Sequence, residues 1–469
     1  DMDTAKVVRR VYDELPLTDY GCIVQGNALR MDWNDVVPAE ECDYIVGNPP
    51  FIGYSNLTEG QKEDRLAIMG QGGGFLDYVA CWYKKASDFT RGFGTRCALV
   101  STNSICQGQQ VELLWKPLFE DGVHIDFAHR TFVWNSEATD EAHVHVVIVG
   151  FSRADAKPKL LFDKGRRQEV DHINAYLAPA SDAFVEKRKK PLCDVPEMSA
   201  GFKPAEHGNL LLSGEERDEL LAAEPEAERW LRPFSMGAEF ISGEKRYCLW
   251  LPDVTAADLK RLPLVRKRIE ACRAWRSAQT PTGDAYRYRD RPHLFKVCNY
   301  FVDGPYIAVP SVSSGRRKYV PMGFVTDGMI PGNMLLFVPN GGLYEFGILE
   351  SQFQNAWMRL VAGRLKSDYR YTNTIVYNNF VWPDATPEQR TRIESCAQAV
   401  LDARAAHPDA TLADMYDPDN DFLFGDLMAA HGALDAAVEA AYGVDFKGDE
   451  EKIVAHLFKL YAEKTGQAE

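Results

Sequence analysis

The chain has 469 residues, 45% of them apolar and 26% charged, the composition of a soluble globular protein with more chain than one ordinary core takes up. No run of about 18 uninterrupted apolar residues occurs, which excludes a helical membrane span. The formal charge of −15 speaks against nucleic acid only as an average: Lys245 to Lys318 holds 16 Lys/Arg against 6 Asp/Glu, a net +10, while Asp384 to Glu469 holds 7 bases against 18 acids, a net −11. A phosphate-facing surface needs only local positive charge, although a plain solvated face would explain the same run.

Ten scattered cysteines without a CxxC pair argue against a zinc ribbon and predict a reducing, cytoplasmic compartment. The start, Asp1-Met2-Asp3-Thr4, has neither an initiator Met nor an apolar leader, and predicts a piece of a longer polypeptide.

In chain order, residues 20–151 alternate short β-rich runs with helix-period segments, the pattern of a parallel α/β sheet. The runs are Cys22-Ile23-Val24, Asp43–Val46, Cys97–Val100, Val123–Phe127 and Val144–Phe151. Between them Phe75, Leu76, Val79, Trp82 and Tyr83 recur at helical spacing, as do Val111, Leu114, Trp115 and Leu118. From about Pro191 the chain becomes punctuated by Pro and Gly and rich in aromatic and basic residues. Beyond Pro383 it is Ala-rich, with helices expected over Glu388–Ala406, Asp421–Ala441 and Glu450–Lys464. The domain expectation is therefore 1–155, a linker at 156–190, a mixed α/β domain at 191–383 and a helical region at 384–469.

The sharpest chemical signal is Asn48-Pro49-Pro50-Phe51, just past the apolar run Tyr44-Ile45-Val46 and so at the C-terminal end of a strand, where open α/β sheets bind ligands. The same tetrapeptide could simply close a strand with a turn. Its chemistry points further. An exocyclic base amine is a poor nucleophile because its lone pair is conjugated into the ring. An Asn oxygen and a rigidly held backbone carbonyl can both accept hydrogen bonds from that NH2 and pull its nitrogen towards tetrahedral geometry. Two prolines fix the backbone and remove competing N–H donors. The aromatic Phe51 offers a stacking face.

Two further clusters carry polar and basic groups: Ser313, Ser314, Arg316, Arg317, Lys318 and Tyr319, and then Arg364, Lys366, Tyr369, Arg370 and Tyr371. Arg can bind guanine bidentately in the major groove, whereas Lys, Ser and Tyr mostly hold phosphates. Other constellations are weak. Pro252-Asp253 and Asp258-Leu259-Lys260 lie too close together for a nuclease strand, no Pro-Cys dipeptide exists, and His143 and His145 lack a third ligand, so no metal site is expected.

The tetrapeptide resembles motif IV of amino-methylating DNA methyltransferases, in the form favoured by N6-adenine enzymes. The chain is similar over nearly its whole length to the MmeI-like (type IIL) restriction-modification family. The matching segments are Gly26–Arg30, Gly74–Val79, Val100–Ile105, Ala128–Phe132, Val309–Ser314 and Gly363–Tyr371. The resemblance implies a class I (Rossmann-like) methyltransferase half-domain, an α/β target-recognition domain and a helical C-terminal region, in the γ order of motifs. It implies double-stranded DNA as partner and S-adenosyl-L-methionine (AdoMet) as methyl donor, with an N-terminal nuclease on the same polypeptide. Asn48 and Pro49 would hold the target amine, with Pro50 part of the same catalytic motif, and Phe51 would pack on a flipped adenine. Trp134, or Phe132 as second choice, would close over the base from the other side, and Gly26, Asn27, Ala28 and Leu29 would touch the adenine moiety of AdoMet. The Gly-rich AdoMet motif does not precede Asn48, so the cofactor pocket is expected to be incomplete in this chain. The rival expectations are an RNA or protein-amide methyltransferase and a silent DNA-binding specificity module.

Overall fold

The computed structural model describes residues 23–134, 144–296, 304–365 and 367–467. Its N-terminal part is built on a six-stranded sheet: β1 (Tyr44–Gly47), β2 (Arg96–Thr102), β3 (His124–Trp134), β4 (Val144–Ser152), β5 (Lys159–Asp163) and β6 (Arg166–Val170), in the order β1-β2-β4-β3-β5-β6. The sheet is mixed rather than parallel. Only β1/β2 and β3/β5 run parallel, while β4 is antiparallel to both its neighbours and β6 to β5. Strand direction leaves no trace in local hydrophobic pattern, whereas strand existence does. The first expected run fails: Ile23 and Val24 lie outside any strand, and Cys22 is outside the described residues.

Three helices connect these strands. The first, α1 (Glu59–Met69), starts at a capping box in which Thr58 and Gln61 satisfy each other's backbone N–H, and stops at Gly70, whose φ of +66° suits glycine. Helices α2 (Ala80–Phe89) and α3 (Gln109–Glu120) bury Tyr83, Val111, Leu114 and Trp115 against the sheet.

The stretch expected as a linker, 156–190, is structured. It supplies β5 and β6 and then buries Ile173, Ala175 and Tyr176 in the same core. That core also takes in strand Tyr306–Pro310, helices α5 (Leu343–Glu350) and α6 (Gln352–Val361), and the C-terminal helices α7 (Pro387–Ala405), α8 (Gly425–Ala441) and α9 (Glu450–Thr465). A second core forms from residues 202–295 together with Ile330, around Trp230, Phe234, Leu249, Val265 and Phe295. It is pinned by Arg276, fully buried in α4 (Pro263–Ser277). Its guanidinium donates to the carbonyls of Pro204, Ala205, Tyr288, Arg291 and Leu294. One of the sixteen bases counted for the basic stretch thus staples the interior and faces no ligand.

Candidate functional site

Parallel β1 and β2 end at the same edge of the sheet, β4 begins there, and β3 ends there. That edge therefore gathers Asn48 after β1, the Thr102–Cys106 loop after β2, and Trp134 at the tip of β3. Between β1 and β3 lie three inter-strand spacings, about 14 Å. Strand β1 is the sheet's edge among the described residues, and its Tyr44 and Val46 are 70% and 75% exposed.

In the tetrapeptide Pro49 is buried, Phe51 half-buried, and Asn48 and Pro50 exposed. The Asn48 carboxamide has no hydrogen-bond partner among the described residues. The loop behind it is firmly held. Buried Asp77 accepts the Tyr54 N–H at 2.8 Å through Oδ1 and the Ser104 hydroxyl at 2.5 Å through Oδ2. The Asp77 N–H donates to Gln110 Oε1 at 3.0 Å, and Tyr78 N–H to the Ile52 carbonyl at 2.9 Å.

The Gly26–Leu29 turn lies beside this loop. Gly26 and Asn27 are exposed, Ala28 is half-buried and Leu29 is buried. Asn27 is occupied at both ends: Oδ1 accepts the Leu29 N–H at 3.0 Å and Nδ2 donates to Asp64 at 3.0 Å. Asp64 also accepts Tyr78 Oη–H at 2.7 Å and Arg30 Nε–H at 2.5 Å. Burial raises the Asp64 pKa, but the hydrogen bonds from Tyr78, Arg30 and Asn27 outweigh it and leave the carboxyl below its usual value.

Trp134 is 38% exposed, with Phe132 tilted beside it at 6.3 Å between ring centroids. His145 lies in β4, and His143 is outside the described residues. No group of three metal-ligating side chains occurs among the described residues. Asp253 accepts Trp230 Nε1–H and Asp258 caps the helix Ala256–Arg261, so both acids of the nuclease-like pattern have structural work.

The two basic clusters, 45 or more residues apart in sequence, come together. Strands Val312–Ser313, Asp368–Arg370 and Gly363–Leu365 form one three-stranded sheet in which Ser313 stands opposite Tyr369. Gly315 packs on the hairpin turn, where a Cβ would meet the Ser367 carbonyl at 2.8 Å. Arg316, Lys318 and Arg370 are exposed, and Ser314, Arg317 and Arg364 half-buried; Lys366 is outside the described residues. Three of the candidate DNA contacts are turned inward in this structure: Ser313 and Tyr369 are buried, and Tyr371, 1% exposed, accepts from Gln354 Nε2–H at 2.6 Å. In a strand alternate residues point inward, and the sequence did not reveal which phase faced the core.

Arg316 is already paired, 2.5 Å from Asp419, and Arg364 lies over the Tyr369 ring at 3.9 Å. Burial lowers the Arg317 pKa against the pull of Asp417 and Asp368. Behind the loop, segment 319–322 is gripped by buried groups. Tyr319 Oη–H donates to Asp435, Val320 N–H to Asn355 and Met322 N–H to Glu350, while Arg404 donates to the Met322 carbonyl and to Glu350 at 2.8 Å. A cavity of about 280 Å³ lies where the sheets meet α6 and α9, lined by Gln107, Arg130 and Thr131 on one side and Arg359, Arg364 and Tyr369 on the other.

Three family models match in series. The MmeI DNA-methyltransferase domain covers residues 1–163, the MmeI target recognition domain 179–384 and the MmeI C-terminal domain 385–468. The chain belongs to the MmeI family. The Type IIL restriction-modification enzyme MmeI, solved in complex with DNA, superimposes on 99% of this chain with a TM-score of 0.88 and 37% identity. A curated member, DNA methyltransferase A of Bacillus subtilis (strain 168), is 36% identical over 98% of this chain. The chain spans 52% of that relative and 63% of the solved MmeI chain.

Proposed function

We propose that this chain is the methyl-transferring and DNA-reading part of a site-specific DNA adenine-N6 methyltransferase belonging to a restriction-modification protein. The observation that carries the reading is the state of Asn48: exposed, and unpartnered among the described residues, at the C-terminal edge of β1, on a loop stiffened by two prolines and tied down behind by Asp77. Asn48 Oδ1 and the Pro49 carbonyl are the two acceptors for the exocyclic amine. Together they pull its nitrogen out of conjugation and aim the lone pair along the line of attack. AdoMet, when bound, would supply the methyl carbon, its bond to sulfur giving way as the N6–C bond forms. The proton leaves the nitrogen afterwards, to solvent. Phe51 stacks on the extruded base, and Trp134 or Phe132 covers its other face and offsets part of the cost of unstacking.

The described residues fit one flank of an AdoMet pocket. Gly26 and Asn27 are exposed, but the Asn27 carboxamide is engaged with Asp64 and Leu29 and its carbonyl accepts from the Arg30 and Met31 N–H, so contact there falls to the remaining backbone of the turn. Duplex DNA meets Arg316, Lys318 and Arg370, with Ser314, Arg317 and Arg364 beside them.

The test is Asn48→Ala in the full-length protein, followed by tritiated-methyl transfer beside a DNA-binding assay. Transfer should fall at least about 100-fold, the loss typical of removing one preorganised polar group, with binding kept. Near-parental transfer refutes the assignment.

A further inference from the structure

Asp77 is the only side chain described that bonds the Asn48 loop and the loop after β2 at once. Its Oδ1 fixes the Tyr54 N–H, six residues beyond Asn48, and its Oδ2 takes the Ser104 hydroxyl. Ser104 is itself within 2.9 Å of the Thr102 hydroxyl, at the end of β2. Asp77 does not swing freely, because its own N–H is held by Gln110 on α3. A few residues past Ser104, Gly108 N–H donates to the Val361 carbonyl at 3.1 Å, directly before the Gly363–Leu365 strand of the recognition sheet. Gly108 sits at a φ of +57°, and a Cβ there would meet Gly363 backbone at 3.3 Å, so the two loops meet main chain to main chain. The neighbouring residue Tyr78 reaches the other way, to Asp64 and through it to Asn27. One short segment, Asp77-Tyr78, therefore sets the distance between the Asn48 loop, the Gly26–Leu29 turn and the loop that abuts the recognition hairpin.

A buried carboxylate is costly unless its oxygens are satisfied. Both oxygens of Asp77 are satisfied by groups that lie 23 and 27 residues away in sequence, one of them a main-chain N–H of the Asn48 loop. Only a loop in this one position completes the set. We infer that Asp77 is a positioning residue for methyl transfer: it holds Asn48 and Pro49 at the geometry in which both acceptors meet the amine, and it takes no proton and touches no substrate. This rests on the reading of Asn48 proposed above.

The experiment compares Asp77→Ala, Asp77→Asn and Ser104→Ala with the parent, in the full-length protein. The readouts are single-turnover methyl transfer at saturating cognate duplex and AdoMet, duplex affinity, and hydrogen exchange of the peptide covering 48–56. A misplacement of about 1 Å at a reacting group costs on the order of 100-fold in rate, so Asp77→Ala should lose about that much at unchanged duplex affinity, with faster exchange confined to 48–56 and the loop after β2. Asp77→Asn, whose amide oxygen still accepts from Tyr54 and whose NH2 can donate to Ser104, should recover most of the rate. Ser104→Ala, which removes one arm, should fall between. Parental transfer by Asp77→Ala overturns the inference, as does an Asn variant as slow as Ala, which would assign the carboxylate itself to the chemistry. Exchange raised evenly across the sheet also overturns it, reducing Asp77 to a fold residue. If the parent forms no methyladenine, the function reading fails on its own, and the exchange data still decide whether Asp77 fixes the loop.

Discussion

The Asn48 loop and the Ser313–Lys318 loop both display polar groups at the surface, and both hang from buried polar anchors, yet they treat those groups differently. Among the described residues Asn48 has no side-chain partner, while its loop is tied down by Asp77 at the Tyr54 N–H. In the recognition loop the anchor is larger, with Tyr319 on Asp435 and Met322 between Glu350 and Arg404, and the exposed cation Arg316 is already held by Asp419. The difference matches the tasks proposed for them. A group that must meet a reacting amine is best left unbonded and preset, because any partner would have to be displaced in the transition state. A cation that meets a polyanion can rest on a protein acid, since DNA replaces one anionic partner with another.

The largest effect is expected at the recognition anchor. Arg404 and Glu350 form a buried ion pair, with Tyr416 hydrogen-bonded to the same guanidinium. Arg404→Ala leaves a buried carboxylate without its counter-charge, which should cost about 3–5 kcal/mol of stability. Chemical unfolding measures it; an unchanged midpoint would mean that the pair carries no weight. Arg316→Ala asks whether the loop reads bases or only holds backbone. A lost bidentate guanine contact should relax preference at one position of the site by roughly tenfold or more, seen by sequencing methylated sites from random DNA. Lys267→Ala, on the helix Pro263–Ser277, should instead weaken all sequences alike and lower the salt slope by about one unit. A uniform loss in Arg316→Ala would make the loop a phosphate clamp. The smallest effect is expected from Asp419→Asn, which frees Arg316. Affinity for non-specific duplex should rise by no more than about fivefold, as befits an exposed pair, and a fall would contradict the idea that the acid competes with DNA.

The parts of this arrangement that the sequence revealed are those whose chemistry is local. Asn48-Pro49-Pro50-Phe51 is legible because two prolines and an Asn after an apolar run state both a backbone shape and a hydrogen-bonding task. The C-terminal helices were legible from period alone and were observed at Pro387–Ala405, Gly425–Ala441 and Glu450–Thr465. What depends on distant partners was hidden. Asp77 lies in a segment singled out for its family likeness, but nothing near it announces Tyr54 and Ser104 as partners. Arg276 looked like one more surface cation and is instead an internal staple for five carbonyls. Tyr371 looked like a DNA contact because the phase of a short strand cannot be read without knowing which face is covered. The 156–190 stretch read as a linker because β6, Arg166–Val170, is almost wholly exposed and shows no apolar alternation.

The claim on which the rest depends is that the amine presented to Asn48 is the N6 of a DNA adenine. Cognate duplex incubated with the full-length protein and isotopically labelled AdoMet, digested to nucleosides and resolved by mass spectrometry, tests it most directly. Label is expected in N6-methyldeoxyadenosine, absent with Asn48→Ala. Label found only in N4-methyldeoxycytidine would contradict it.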